Sequence, residues 1–192
     1  MKRRHETIRF LSAAILLISG FLSADRVHAQ SGSDQVTIHL RFRPVQTIVV
    51  TAAQKTIDIE YATVSDHQNG VSVTQDDHLT IFSTGGFQVS VEASDANFIR
   101  VGGSETIPVS DVSVRAVNGT DNHAIAVFSD VALSNTPAPL IASSQGGRDL
   151  KYGIRYDNTA SGSGDRYIDK YVSGDGAETV YTTQITYTIV TR

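Results

Sequence analysis

Cysteine is absent from this 192-residue chain, tryptophan is absent, methionine occurs once and proline four times. Without cysteine, neither a disulfide framework nor a thiolate metal site can form, and any fold must hold through its apolar core. Long apolar runs are also scarce. The one run, Leu11–Leu22, covers about 12 residues, against the roughly 20 needed to span a bilayer as a helix. Lys2, Arg3, Arg4 and Arg9 precede this run and Val27-His28-Ala29 follows it. A basic stretch, a short apolar stretch and small residues at a cleavage position predict a signal peptide over residues 1–29, with Gln30 as the new N-terminus.

Positive charge is in deficit as well. Five of the 16 bases and two of the 20 acids lie in residues 1–29, leaving residues 30–192 with a net charge of −7. An acidic chain argues against nucleic acid and against an anionic membrane surface as partners. Helical patterning is missing too, since no apolar stripe recurs at i, i+3, i+4 and i+7. The reading is an exported protein, in transit through a periplasm or displayed at a cell surface, with no membrane span after the leader.

What is present is period-two alternation. In Gln35–Arg43, Val36, Ile38, Leu40 and Phe42 share one face, while Thr37, His39, Arg41 and Arg43 share the other. Pro44 follows and cannot donate to a ladder. Further alternating runs occupy 48–51, 57–61, 79–82, 87–93, 112–116, 125–128, 150–156 and 181–189. Gly85-Gly86 between two of these reads as a hairpin turn in which glycine supplies positive φ. Residues 66–70, 135–139 and 158–165 read as loops. Eight or nine short strands predict an all-β fold, an immunoglobulin-like antiparallel β-sandwich with an N-terminal extension strand. The organisation expected is a signal peptide (1–29), an extension or donor strand (30–43) and a sandwich domain (44–192).

Catalytic chemistry has little to stand on. No serine lies in a G-x-S-x-G turn, and no histidine pair has zinc spacing. His39, His67 and His123 fall in polar surroundings and read as surface residues. The expectation is no enzyme, no cofactor, no catalytic residue and no metal. Asp157, Asp165, Asp169, Asp175 and Glu178 are oxygen donors in late loops, but their spacing fits no calcium loop. Six of the seven tyrosines fall between Tyr152 and Tyr187. On one sheet face they would stack on sugars; as core residues they would put their hydroxyls at its edge, the reading preferred here. Asn118-Gly119-Thr120 is both a glycosylation tripeptide and a turn.

The leader, the alternating strand ended by Pro44, the run Asp77–Val91 read as a central hairpin, Ile107-Pro108-Val109-Ser110, and the closing Ala177–Tyr187 strand together resemble the CFA/I-type (alternate chaperone–usher) fimbrial major subunits. Related exported bacterial sandwiches of the spore-coat-U and WxL types are similar in pattern. The resemblance implies a subunit lacking one strand, completed by the extension of the next copy. Val36, Ile38, Leu40 and Phe42 would be the inserted donor-strand side chains. Its partners would be copies of itself head-to-tail, a periplasmic chaperone and an outer-membrane usher, and its destination a fimbrium. The rival expectation is a self-complete secreted sandwich that binds carbohydrate or calcium through its loops.

Overall fold

The computed structural model describes residues 32–120, 125–172 and 176–192. The expected leader, Gln30, His123 and Asp175 lie outside the described residues. Residues 1–41 and 42–192 form separate units.

The body is an all-β sandwich. Among the described residues twelve strands run in chain order: β1 (Gln46–Val50), β2 (Ser72–Ser83), β3 (Phe87–Ala93), β4 (Asn97–Arg100), β5 (Thr106–Pro108), β6 (Ser113–Asn118), β7 (Ala126–Phe128), β8 (Asp130–Ala132), β9 (Ala138–Ser143), β10 (Gly147–Asp157), β11 (Tyr181–Thr182) and β12 (Ile185–Thr191). One sheet has the order β1-β2-β10-β6-β8 and the other β12-β3-β9-β7, with a small third sheet β11-β4-β5. Every pairing among the described residues is antiparallel.

Alternation explains the core. Phe87, Val89, Val91 and Ala93 of β3 are buried, as are Leu150, Tyr152, Ile154 and Tyr156 of β10 and Val114 and Ala116 of β6. These inward rows meet across the layers. Phe87 and Phe128 each set a ring edge-on to Tyr152, at 6.4 and 5.9 Å between centroids, a geometry favoured by the ring quadrupoles.

Several expectations change. Gly85-Gly86 is not a hairpin turn: β2 and β3 belong to different sheets, and the turn carries the chain from one layer to the other. Neither glycine has positive φ. The segment Asp77–Val91 is therefore not a hairpin either. Residues 66–70, read as a loop, fall mostly in a short helix, α1 (Val64–Asn69). Thr63 caps it, accepting from the Asp66 N–H, while the Asp66 carboxylate accepts from the Thr63 N–H at 2.7 Å. This reciprocal pair satisfies the helix's otherwise orphaned donors. Gly70 ends it at φ +72°, where a Cβ would lie 2.5 Å from Thr159 Cα. Residues 57–61 join no strand, although Ile57, Ile59 and Tyr61 are half-buried and Asp58 and Glu60 exposed. Residues 135–139, read as a loop, lead into β9. Pro139 sits at a register shift opposite Ser90, where its missing N–H breaks no regular ladder.

Candidate functional site

The two rims of the sandwich differ. On one rim β7 and β8 are joined by Ser129 alone, so one stretch of chain passes from the four-stranded to the five-stranded sheet and closes the layers covalently. On the other rim stand β1 and β12, the first and last long elements of the body. Among the described residues, β1 pairs only with β2, and β12 only with β3. Residues of β1 and β12 approach within 8 Å between Cα atoms, yet no ladder joins them. Facing sheets normally sit about 10 Å apart, so the layers are pinched together along this seam.

The seam is lined by Gln46, Ile48 and Val50 of β1 and by Ile185, Tyr187 and Ile189 of β12. All six are only half-buried, whereas Leu79, Ile81, Val89 and Val91 on the neighbouring strands are fully enclosed. The apolar core thus thins out at an edge with unpaired backbone. At one end, beside Gln46, Gly86 and Thr191, lies a depression of about 440 Å³. Gln46 Nε2 is buried without a hydrogen-bond partner among the described residues; such an orphaned donor costs about 1–3 kcal/mol.

The four donor-strand residues are placed plainly. Val36, Ile38, Leu40 and Phe42 are 87, 81, 80 and 90 % exposed, and residues 32–44 belong to no strand. His39 and Arg41 are exposed as well. Apolar and polar members of the alternation are thus alike exposed.

Behind the seam runs a polar chain that the sequence reading missed. His78 of β2 is buried. Its Nδ1 lies 3.0 Å from Gln54 Oε1 and its Nε2 3.0 Å from the Tyr156 hydroxyl, which lies 2.6 Å from the hydroxyl of Tyr187 on β12. Gln54 Nε2 donates to the Asp76 carbonyl at 3.0 Å, so Oε1 is the acceptor and Nδ1 carries the proton. Nε2 then accepts from Tyr156, and Tyr156 accepts from Tyr187. A bulge turns His78 inward: between the pairs Gln75–Ile154 and Leu79–Tyr152, residues Asp76, Asp77 and His78 oppose Gly153 alone. Asp77 sits there at φ +50° and accepts from Thr120 N–H at 2.8 Å and Thr120 Oγ1 at 2.6 Å. The Asn118-Gly119-Thr120 turn is thus the clamp of this bulge. Burial lowers the His78 pKa below its ordinary value and raises that of Tyr156 to about 12; it also raises that of Tyr187.

A second polar cluster centres on buried Asp111. It accepts from the Tyr167 hydroxyl at 2.7 Å and from Arg166 at 3.2 Å on both oxygens. Asn158 donates to the Asp111 carbonyl at 2.8 Å and accepts from Tyr61. A depression of about 260 Å³ lies alongside, lined by Asp111, Arg166, Asp169 and Lys170 among others. Of the late carboxylates, Asp157 pairs with Arg155 at 2.5 Å and accepts from Thr159. Among the described residues, no three acidic or histidine side chains gather as metal ligands, and no helix is long and apolar enough to cross a membrane. Tyr152 and Tyr156 are core residues, Tyr181 and Tyr187 half-buried, and Tyr171 exposed.

No family model matches the chain, and no curated protein matches it.

Proposed function

We propose that this chain is an exported structural or adhesive surface subunit that polymerises by strand addition, the 32–43 segment of one copy joining the β1/β12 seam of the next. The observation that carries the reading is a pair of complementary deficits. The body has an unladdered seam whose apolar lining is half-covered. The N-terminal segment has four large apolar side chains in strict alternation, 80–90 % exposed. Strand addition remedies both: main-chain bonds to a free edge supply affinity, and alternate side chains enter the core.

The dimensions suit it. Nine extended residues span about 30 Å, and the seven of β12 about 23 Å. A strand lying between two others needs them about 9.5 Å apart, so the seam widens on insertion wherever it is now under 8 Å. Each Val, Ile, Leu or Phe taken from water contributes about 1.5–3 kcal/mol, and a donor carbonyl beside Gln46 would satisfy its orphaned Nε2. Head-to-tail addition does not close on itself and yields a fibre. An unfilled seam on a free subunit is an aggregation hazard, so a periplasmic chaperone, and an outer-membrane usher to receive the subunit, belong to the same reading.

The test is a ladder. Purified protein incubated at high concentration and run unheated in SDS is expected to show regularly spaced oligomers, abolished by excess of a peptide of residues 32–43. A single monomer band under all conditions overturns the proposal.

A further inference from the structure

The polar chain behind the seam ends on the strand that strand addition would have to displace. Tyr187 is the third residue of β12, and its hydroxyl reaches across the layers to Tyr156 of β10 and, through it, to His78 of β2. The His78 ring is flanked edge-on by both tyrosines, at 5.9 and 6.0 Å between centroids. We infer that this chain is an acid-sensitive latch: at neutral pH it holds β12 against the opposite sheet and keeps the seam pinched, and protonation of His78 releases β12.

With Nδ1–H committed to Gln54, Nε2 is the acceptor on which the two hydroxyls are threaded. A proton from water taken up at Nε2 turns that acceptor into a donor. The Tyr156 oxygen must then accept from the ring and direct its own hydrogen to Tyr187, whose O–H loses its acceptor. The charge is also poorly placed. From β10 the ring faces Tyr156, from β12 Tyr187, and from the turn after β1 Gln54, all neutral. On its own strand Asp76 is exposed, and Asp77 is turned outward to Thr120, with Lys151 3.9 Å away. Among the described residues, no carboxylate bonds the ring to balance an imidazolium. Opening the seam brings water to it, so acid favours the open form. Burial acts in the same direction, holding the ring neutral in the closed form below the ordinary 6.5.

The latch stands on the hydrogen-bond chain and on the uncharged surroundings of the ring; its use, acid-triggered acceptance of a donor strand, rests on the proposed function. In the full chain, His78 titration is followed by NMR while hydrogen exchange reports protection of β12 amides relative to β10, corrected for intrinsic rates. The expected result is a His78 pKa below 6.5 and a β12 protection that falls by up to about 30-fold from pH 7.5 to pH 5.0, the limit set by 1.5 pH units of linkage. His78→Gln is expected to abolish that dependence. Tyr187→Phe, which keeps the ring, is expected to lower β12 protection already at pH 7.5. A His78 that titrates at 6.5 or above, a β12 protection that does not change with pH, or the same dependence in His78→Gln overturns the latch. A fluorescein-labelled peptide of residues 32–43 separates the two proposals. Faster binding at pH 5.0 supports both, while pH-dependent β12 protection with no peptide binding at either pH upholds the latch and overturns strand addition.

Discussion

At the scale of single residues, the buried polar groups decide most. Asp111 carries three hydrogen bonds on its carboxylate while 8 % exposed. Asp111→Ala strips the acceptor from Tyr167 and leaves that buried hydroxyl's hydrogen without a partner, so a loss of about 2–4 kcal/mol is expected in urea unfolding, with Asp111→Asn losing less. Gly119 is constrained by space: a Cβ there would lie 2.5 Å from both Asp77 Oδ1 and the Lys151 carbonyl oxygen. Gly119→Ala must therefore push the clamp off the bulge, and should cost about 1–3 kcal/mol in the same measurement. The pH dependence of stability has two separate windows. His78 has a lowered folded pKa, so its contribution is complete above the unfolded value of 6.5 and declines as pH falls below it. The slope cannot exceed about 1.4 kcal/mol per pH unit. Asp66 and Asp77, held low by bonds from Thr63 and Thr120, and Glu105, held low by Arg100, lose their contributions only in stronger acid, below their ordinary 3.8 and 4.5. Unfolding midpoints between pH 7.5 and 5.0 should thus fall in the wild type and stay nearly level in His78→Gln; equal slopes would show that another group titrates.

At the scale of elements, period-two alternation marked burial in the rows 87–93 and 150–156 and was a poor guide to pairing. The rows 87–93 and 150–156 became β3 and the centre of β10 because both faces of the alternation had an occupant, core on one side and water on the other. Residues 57–61 show the same alternation in burial without a ladder: side-chain period reports which face is covered, whereas pairing requires a neighbouring backbone, which no local pattern encodes. The Gly85-Gly86 turn was misread for that reason. Two strands joined by a tight turn can sit in one sheet or in two, and only the packing of Phe87 against Tyr152 across the layers decides. Helix α1 was legible after all, in Thr63-x-x-Asp66 followed by Gly70, a capping box with a glycine stop. It was overlooked because six residues make too short an apolar stripe to register. Its cap is testable: Thr63→Ala should cost about 1 kcal/mol, seen as faster hydrogen exchange confined to residues 64–70. His78 was illegible for a different reason. The bulge breaks the alternation at Asp77, so two consecutive residues, His78 and Leu79, are both buried, and no period-two reading places a histidine inward beside an inward leucine.

At the scale of the whole molecule, strand addition would separate folding from assembly. If the segment serves another copy, Leu40→Asp leaves the monomer folded, with its unfolding free energy within about 0.5 kcal/mol of the wild type. The same charge would have to enter an apolar seam unpaired, at a cost of several kcal/mol, so oligomer ladders should vanish. Deleting residues 32–43 should do the same. A Leu40→Asp protein that fails to fold would instead place the segment in its own core and favour the self-complete sandwich. Unchanged ladders would reduce the segment to a tether.

The pairing of β12 with β3 has a consequence in time as well as in space. Thr191 meets Phe87 and Ile185 meets Ala93, partners separated by about a hundred residues of chain. Contacts of such long range make for slow folding, on the order of milliseconds to seconds for all-β domains. A chain emerging from its N-terminus presents the β3 edge long before the residues that cover it exist. Through that interval one edge of β3 has no permanent neighbour, and the order of synthesis, not only the final geometry, exposes this protein to whatever strand arrives first.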